Sequence, residues 1–167
     1  VGVAPAARLM ALRACWEATT GARLTLCSTL SLARAIEYAI EHDAQVINLS
    51  LSGPPDPLLD KLIDVAMTRN IAVVAAYDGA APHGGFPASK PGVIAVTDES
   101  LRTWPASVYG APGRDIPTTE PGGKWYIVNG SSYAAAHVAG LIALVREERR
   151  AARPRIAVRR DGRIIDA

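Results

Sequence analysis

The sequence has 167 residues, 49% hydrophobic and 20% charged, which is room for one domain with one sizeable core and is a globular rather than a disordered composition. Its apolar runs, the longest around Ile71 to Tyr77, fall far below the roughly 18 residues that a membrane span needs, and no basic-then-apolar leader opens it. A net charge of +2 names no partner.

Residue 1 is Val rather than Met, so the sequence reads as starting mid-gene or after processing. In chain order, Arg8 to Leu12 (RLMAL) reads as a strand. Cys15 and Cys27 bracket WEATTGARLTL, which reads as a loop. Two cysteines around a short loop suit a disulfide, which would favour a periplasmic or secreted location; two buried free thiols are the alternative. Leu30 to Glu41 has apolar residues at helical spacing, with Ser28 or Thr29 as its cap. Val46 to Leu51 (VINLSL) is a short buried strand, and Pro57 to Thr68 is a second amphipathic helix, introduced by Asp56 and opened by Pro. Ile71 to Ala76 (IAVVAA) is continuously apolar, the pattern of a strand covered on both faces, and Val93 to Val96 is another such strand. Irregular segments follow to Asn129, and Ser132 to Arg149 reads as a long helix with very small residues at its start (SYAAAHVAG).

This order predicts an α/β fold in three layers: a mostly parallel sheet with helices on both faces. Residues 1–150 form the main unit. Residues 151–167 form a C-terminal extension, read as a β-hairpin around Asp161-Gly162. Between Arg146 and Arg163 eight arginines stand against Glu147, Glu148 and Asp161. Such a tail can bind nucleic acid or acidic lipid. It equally serves as a solvated helix end and hairpin, and neither nucleic acid nor membrane is expected as a partner.

Four segments, in order and at plausible spacing, resemble the subtilisin-like serine peptidases (the peptidase S8 family). VGVAPAARLMAL at Val1 to Leu12 is similar to the family's GVAP-x-A segment, and DAQVINLSLSGP at Asp43 to Pro54 to its strand ending in N-x-S-L-G. NIAVVAAYDG at Asn70 to Gly79 resembles the strand ending in A-A-G-N, followed by FPASKPGVIAV at Phe86 to Val96. YGAPGRDI at Tyr109 to Ile116 precedes VNGSSYAAAHVAG at Val128 to Gly140, which resembles the nucleophile motif N-G-T-S-M-A-x-P-H-V-A-G. The resemblance covers Val1 to about Arg149 and implies that Ser132 is the nucleophile and that position 78 faces the oxyanion. It further implies that substrate adds as a strand beside Ser50, Leu51 and Ser52, over a pocket lined by Ala75, Ala76 and Tyr77.

The residues make chemical sense without the family. A serine at the start of a long helix holds its hydroxyl where backbone N–H groups are free and the dipole is positive, a place that suits the oxyanion of acyl transfer. Taken alone, Ser131 and Ser132 also read as ordinary caps of a buried helix, and the positions at the two strand ends as ordinary strand-end residues. His137 lies five residues after Ser132 on the same helix, rotated away from it, and is rejected as a base. His42 reads as a charge at a helix C-terminus, and His83 sits in the loop after Asp78.

Two departures stand out. Nothing here resembles the family's D-[ST]-G strand end or its H-G-T-H helix, so the catalytic Asp and His are expected upstream of Val1. Asp78 replaces the family's Asn, a carboxylate where a donor is wanted; Tyr77 and Ser52 replace glycines, Ser131 a threonine and Ala136 a proline. The expected function is a serine endopeptidase domain acting on a peptide or protein substrate, inactive as this chain alone, with the missing N-terminal portion or a second copy as partner. The alternative is a pseudo-peptidase that binds without cleaving. No cofactor is expected: a structural calcium is compatible with the family, but no local ligand set names one.

Overall fold

The computed structural model describes residues 2–18, 25–100, 103–120 and 122–150; the hairpin expected in residues 151–167 lies outside them. At its centre is a four-stranded sheet of β3 (Val46–Leu49), β4 (Ala72–Ala76), β5 (Ile94–Asp98) and β6 (Tyr109–Ala111), parallel throughout and in sequence order. On one face lie α1 (Thr29–Glu41) and α2 (Pro57–Thr68); on the other lies α3 (Ser131–Arg150). Two small antiparallel ribbons complete the described fold: β1 (Cys15–Glu17) with β2 (Thr25–Cys27), and β7 (Ile116–Glu120) with β8 (Lys124–Val128).

Alternation along β4 explains the three layers. Val73 and Ala75 join Leu32, Ile36, Leu59 and Ile63 in the core beneath α1 and α2. Val74 and Ala76 join Ala134, Ala135, Val138 and Leu141 beneath α3. Each residue from Val73 to Ala76 is therefore buried, as a continuously apolar strand requires. The helix starts follow their caps. Ser28 accepts the Ser31 N–H at 3.1 Å, and Asp56 accepts those of Leu58 and Leu59 at 2.9 and 3.1 Å. Asp56 also accepts a hydrogen bond from the Thr29 hydroxyl at 2.5 Å, which ties the two helix starts together and, with the Leu59 N–H, holds its carboxyl below the usual range.

Three expectations need correction. Residues 8–12 are not a strand: they join no sheet, and Leu9 is 93% exposed. Val3 packs against the α3 core and Ala14 belongs to the α1–α2 core, so this stretch passes from one face of the sheet to the other, with no partner strand among the described residues. The region before Asn129 is not all irregular. It holds β6 and the β7–β8 ribbon, too short or too polar to show a buried-strand pattern. The stretch read as a loop between the cysteines is paired at its ends, where Cys15 and Cys27 face each other across β1 and β2 and are joined as a disulfide.

The connection from β4 to β5 carries no α-helix, only a 3-10 turn at Pro82–Gly84, and it is held by long-range contacts instead. Gly53 and Phe86 exchange two backbone hydrogen bonds of 2.9 Å. Lys90, its side chain only 10% exposed, reaches Asp60 at 2.7 Å and Asp64 at 2.9 Å on α2. Burial disfavours the Lys90 charge, but the two carboxylates outweigh it and raise its pKa.

Candidate active site

The carboxyl ends of β3, β4 and β5 and the first turn of α3 meet at one end of the sheet, where open parallel sheets place their ligand crevices. Ser132 lies in that first turn and is half-buried. Its hydroxyl donates to the Ser50 carbonyl at 3.3 Å, and the Ser50 hydroxyl donates to the Ser132 carbonyl at 2.7 Å. The Asn48 side-chain amide in turn donates to the Ser50 hydroxyl at 3.0 Å. The end of β3 is thereby fastened to the start of α3.

The approach to Ser132 is fixed by glycine. Gly130 has φ 137°, a backbone state that side chains rarely adopt. Its N–H donates to the Gly113 carbonyl at 2.7 Å, and its own carbonyl accepts the Tyr133 N–H at 3.1 Å. One residue earlier, the Asn129 side-chain oxygen accepts the Asp115 N–H at 2.7 Å. Gly113 has no room for a side chain: a Cβ there would lie 2.9 Å from the Asp98 Cβ and 2.9 Å from the Gly130 oxygen. Asp98 is buried, with its carboxylate turned back on Ser100, whose N–H and hydroxyl donate at 3.0 and 2.6 Å.

Asp78 follows β4 and is half-buried. Its carboxylate accepts the Ala80 N–H at 2.9 Å, its carbonyl accepts the Ala81 N–H at 3.1 Å, and its N–H donates to the Gly84 carbonyl at 3.0 Å. The carboxylate thus closes its own turn as an acceptor. The Tyr77 ring lies over Gly84, in the space where any side chain at that position would sit, and the Ser52 hydroxyl lies likewise against Gly85. Ala75 and Ala76 are enclosed in the two cores on opposite faces of the sheet. Leu51 is half-buried against the α1–α2 core.

No histidine or carboxylate among the described residues is hydrogen-bonded to Ser132. The His137 ring is bonded to the Tyr133 carbonyl at 3.1 Å within α3. His42 caps α1 through the Tyr38 carbonyl at 2.8 Å and stacks on the Tyr38 ring, and His83 is exposed in the 3-10 turn. Among the described residues no group of three or more His, Cys, Asp and Glu is placed to hold a metal, and no helix is long and apolar enough to cross a membrane.

Sequence reasoning missed Asn48, Asp98, Gly113 and Asn129. The signal for Gly113 was its place in A-P-G just after a strand; a carboxylate at the end of an apolar strand, such as Asp98, reads as solvent-facing.

A family model described as the Subtilase family matches residues 1–159. The chain belongs to the subtilase family. It is 34% identical over 158 residues to Subtilisin Savinase of Lederbergia lenta, a match covering 89% of this chain and 56% of that protein. Among solved structures, the subtilase fold recurs in the prenylagaramide maturation protease PagA, with a TM-score of 0.66 and 30% identity over 80% of this chain and 55% of that one. It recurs again in the PatG macrocyclase in complex with peptide, with a TM-score of 0.65 and 26% identity over 76% of this chain and 43% of that one. The chain spans 40% to 56% of the length of the curated subtilases it matches.

Proposed function

We propose that this chain is the nucleophile-bearing part of a subtilase endopeptidase that hydrolyses peptide bonds, with Ser132 as the attacking group. The observation that carries this reading is the place of Ser132: first turn of α3, at the carboxyl end of the sheet, hydrogen-bonded to the strand end at Ser50. There the free N–H groups of the helix start and the dipole favour a developing oxyanion. A peptide would add as a strand beside Ser50, Leu51 and Ser52, its carbonyl carbon presented to the Ser132 oxygen.

The hydroxyl lacks a base among the described residues, and serine without one is a poor nucleophile. The Asp and His are therefore assigned to a segment outside this chain, in the same gene product or a partner chain. Two features support a place for that segment: among the described residues the outer edge of β3 pairs with no strand, and residues 8–12, strand-like in sequence, pair with none either. This chain alone is then inactive.

The test is a fluorophosphonate probe. The isolated chain should stay unlabelled. Labelling should appear when the segment bearing Asp and His is restored, and Ser132→Ala should abolish it. A completed protein that binds peptide yet never labels would establish the second reading, a pseudo-peptidase. That reading has its own support, because the Asp78 carboxylate is an acceptor where a donor is needed and the Tyr77 ring takes up space beside the cleft.

A further inference from the structure

Leu49 of β3 and Ala75 of β4 face each other in register, and beyond them the pairing of the two strands ends. The chain runs on from β3 as the strip Ser50 to Gly53 and from β4 through Tyr77 and Asp78. A third wall, Gly84 to Phe86, closes the space between these two continuations. It is tied to the first by the backbone pair Gly53–Phe86, and to the second by the Asp78 N–H, which donates to the Gly84 carbonyl at 3.0 Å. A peptide laid along Ser50–Ser52 would lower into this gap the side chain next to the bond it presents to Ser132.

The gap is taken by the chain itself. Gly84 and Gly85 have φ 88° and 71°, in the left-handed region that favours glycine, and both are buried although neither has a side chain. Tyr77 and Ser52 cover them. A Cβ on Gly84 would run into the Tyr77 ring, and one on Gly85 into the Ser52 hydroxyl. Tyr77 is firmly held. Its N–H donates to the Val96 carbonyl at 2.7 Å, which fixes its backbone at the end of the sheet, and its side chain packs against the α1–α2 core. For another side chain to enter, the ring would have to give up that burial.

We propose that Tyr77 and Ser52 make the cleft selective for glycine: the ligand is an extended peptide whose residue next to the bond presented to Ser132 is Gly. Main-chain pairing along Ser50–Ser52 supplies affinity, and the filled gap rejects any residue that brings a side chain, a larger one more strongly than a methyl group. Tyr77 is then a filter rather than a block, since a ring that excludes side chains leaves glycine free to bind and to be cleaved. This inference rests on the reading of the cleft as a peptide site and says which peptides it takes.

The test is binding to the full chain, read by fluorescence anisotropy with three labelled pentapeptide amides that differ only in their last residue, Gly, Ala or Phe. On the unaltered chain the affinity is expected to fall from Gly to Ala to Phe, with Phe about tenfold or more below Gly. Tyr77→Gly empties the gap and should raise the ratio of Phe to Gly affinity about tenfold, because a benzyl group then gains the burial it was denied. Ser52→Gly should move the ratio the same way by a smaller factor, and it carries the comparison if Tyr77→Gly fails to fold. A gain of Phe binding cannot come from misfolding. The inference alone is overturned, with the cleft reading intact, if Phe binds the unaltered chain as tightly as Gly, or if the ratio stays the same in a folded variant. A chain that binds none of the three peptides overturns the cleft reading and this inference with it.

Discussion

On the proposed reading, position 78 carries a carboxylate where acyl transfer calls for a donor. One oxygen of that carboxylate accepts the Ala80 N–H and closes its own turn. In a completed protein, Asp78→Asn should speed fluorophosphonate labelling of Ser132, by on the order of 10²-fold, the worth of one oxyanion donor; an unchanged rate would show that the carboxylate is no impediment. Gly113 is the second residue on which the site turns. Its Cβ would fall 2.9 Å from both the Asp98 Cβ and the Gly130 oxygen, so Gly113→Ala forces one of them to move. It should cost about 1–3 kcal/mol in urea unfolding and slow Ser132 labelling, because the Gly113 carbonyl holds the Gly130 N–H. The helix start around Ser132 was legible in the sequence, because the glycine before it and the alanines after it announce a tightly packed helix. Asp98 and Gly113 were not, because their meaning lies in a contact between segments that no local pattern records.

At the scale of elements, helices were the most legible parts. The α2 boundaries follow directly from Asp56, Pro57 and an apolar stripe, and α1 from Ser28. The β4–β5 connection was not legible, since long-range pairs hold it: the Gly53–Phe86 bridge and the Lys90 ammonium between Asp60 and Asp64. Lys90→Met should loosen this loop from α2. The expected loss is on the order of 1 kcal/mol, kept small because both carboxylates are half-exposed and screened. The sign with pH follows from the raised pKa. The stabilisation is present in full below the ordinary lysine value of 10.5 and fades as pH rises through the folded value above it. Thermal midpoints of the two proteins should therefore differ by a constant amount across neutral pH and converge only at strongly alkaline pH.

For the whole molecule, the three-layer order was legible from apolar runs and helical spacing, whereas the strand expected at residues 8–12 was not realised. A strand needs a neighbour, and the apolar pattern of Leu9, Met10 and Leu12 specifies a buried place without supplying the partner that would bury it. Among the described residues the outer edge of β3 likewise pairs with no strand. Adding the proposed segment that carries Asp and His should slow amide hydrogen exchange in β3 and across residues 8–12 while leaving β5 as it was; exchange unchanged in all three would place that segment elsewhere. The separateness of the β7–β8 ribbon has a different consequence. Among the described residues, the anchors at its root are one asparagine side chain and backbone atoms of Gly113, Asp115 and Gly130, none of them inside the ribbon. A hairpin of another sequence can be spliced between Asp115 and Asn129 with every anchor kept and neither core disturbed, so this part of the molecule is free to diversify, in nature or on the bench, independently of the chemistry beside it.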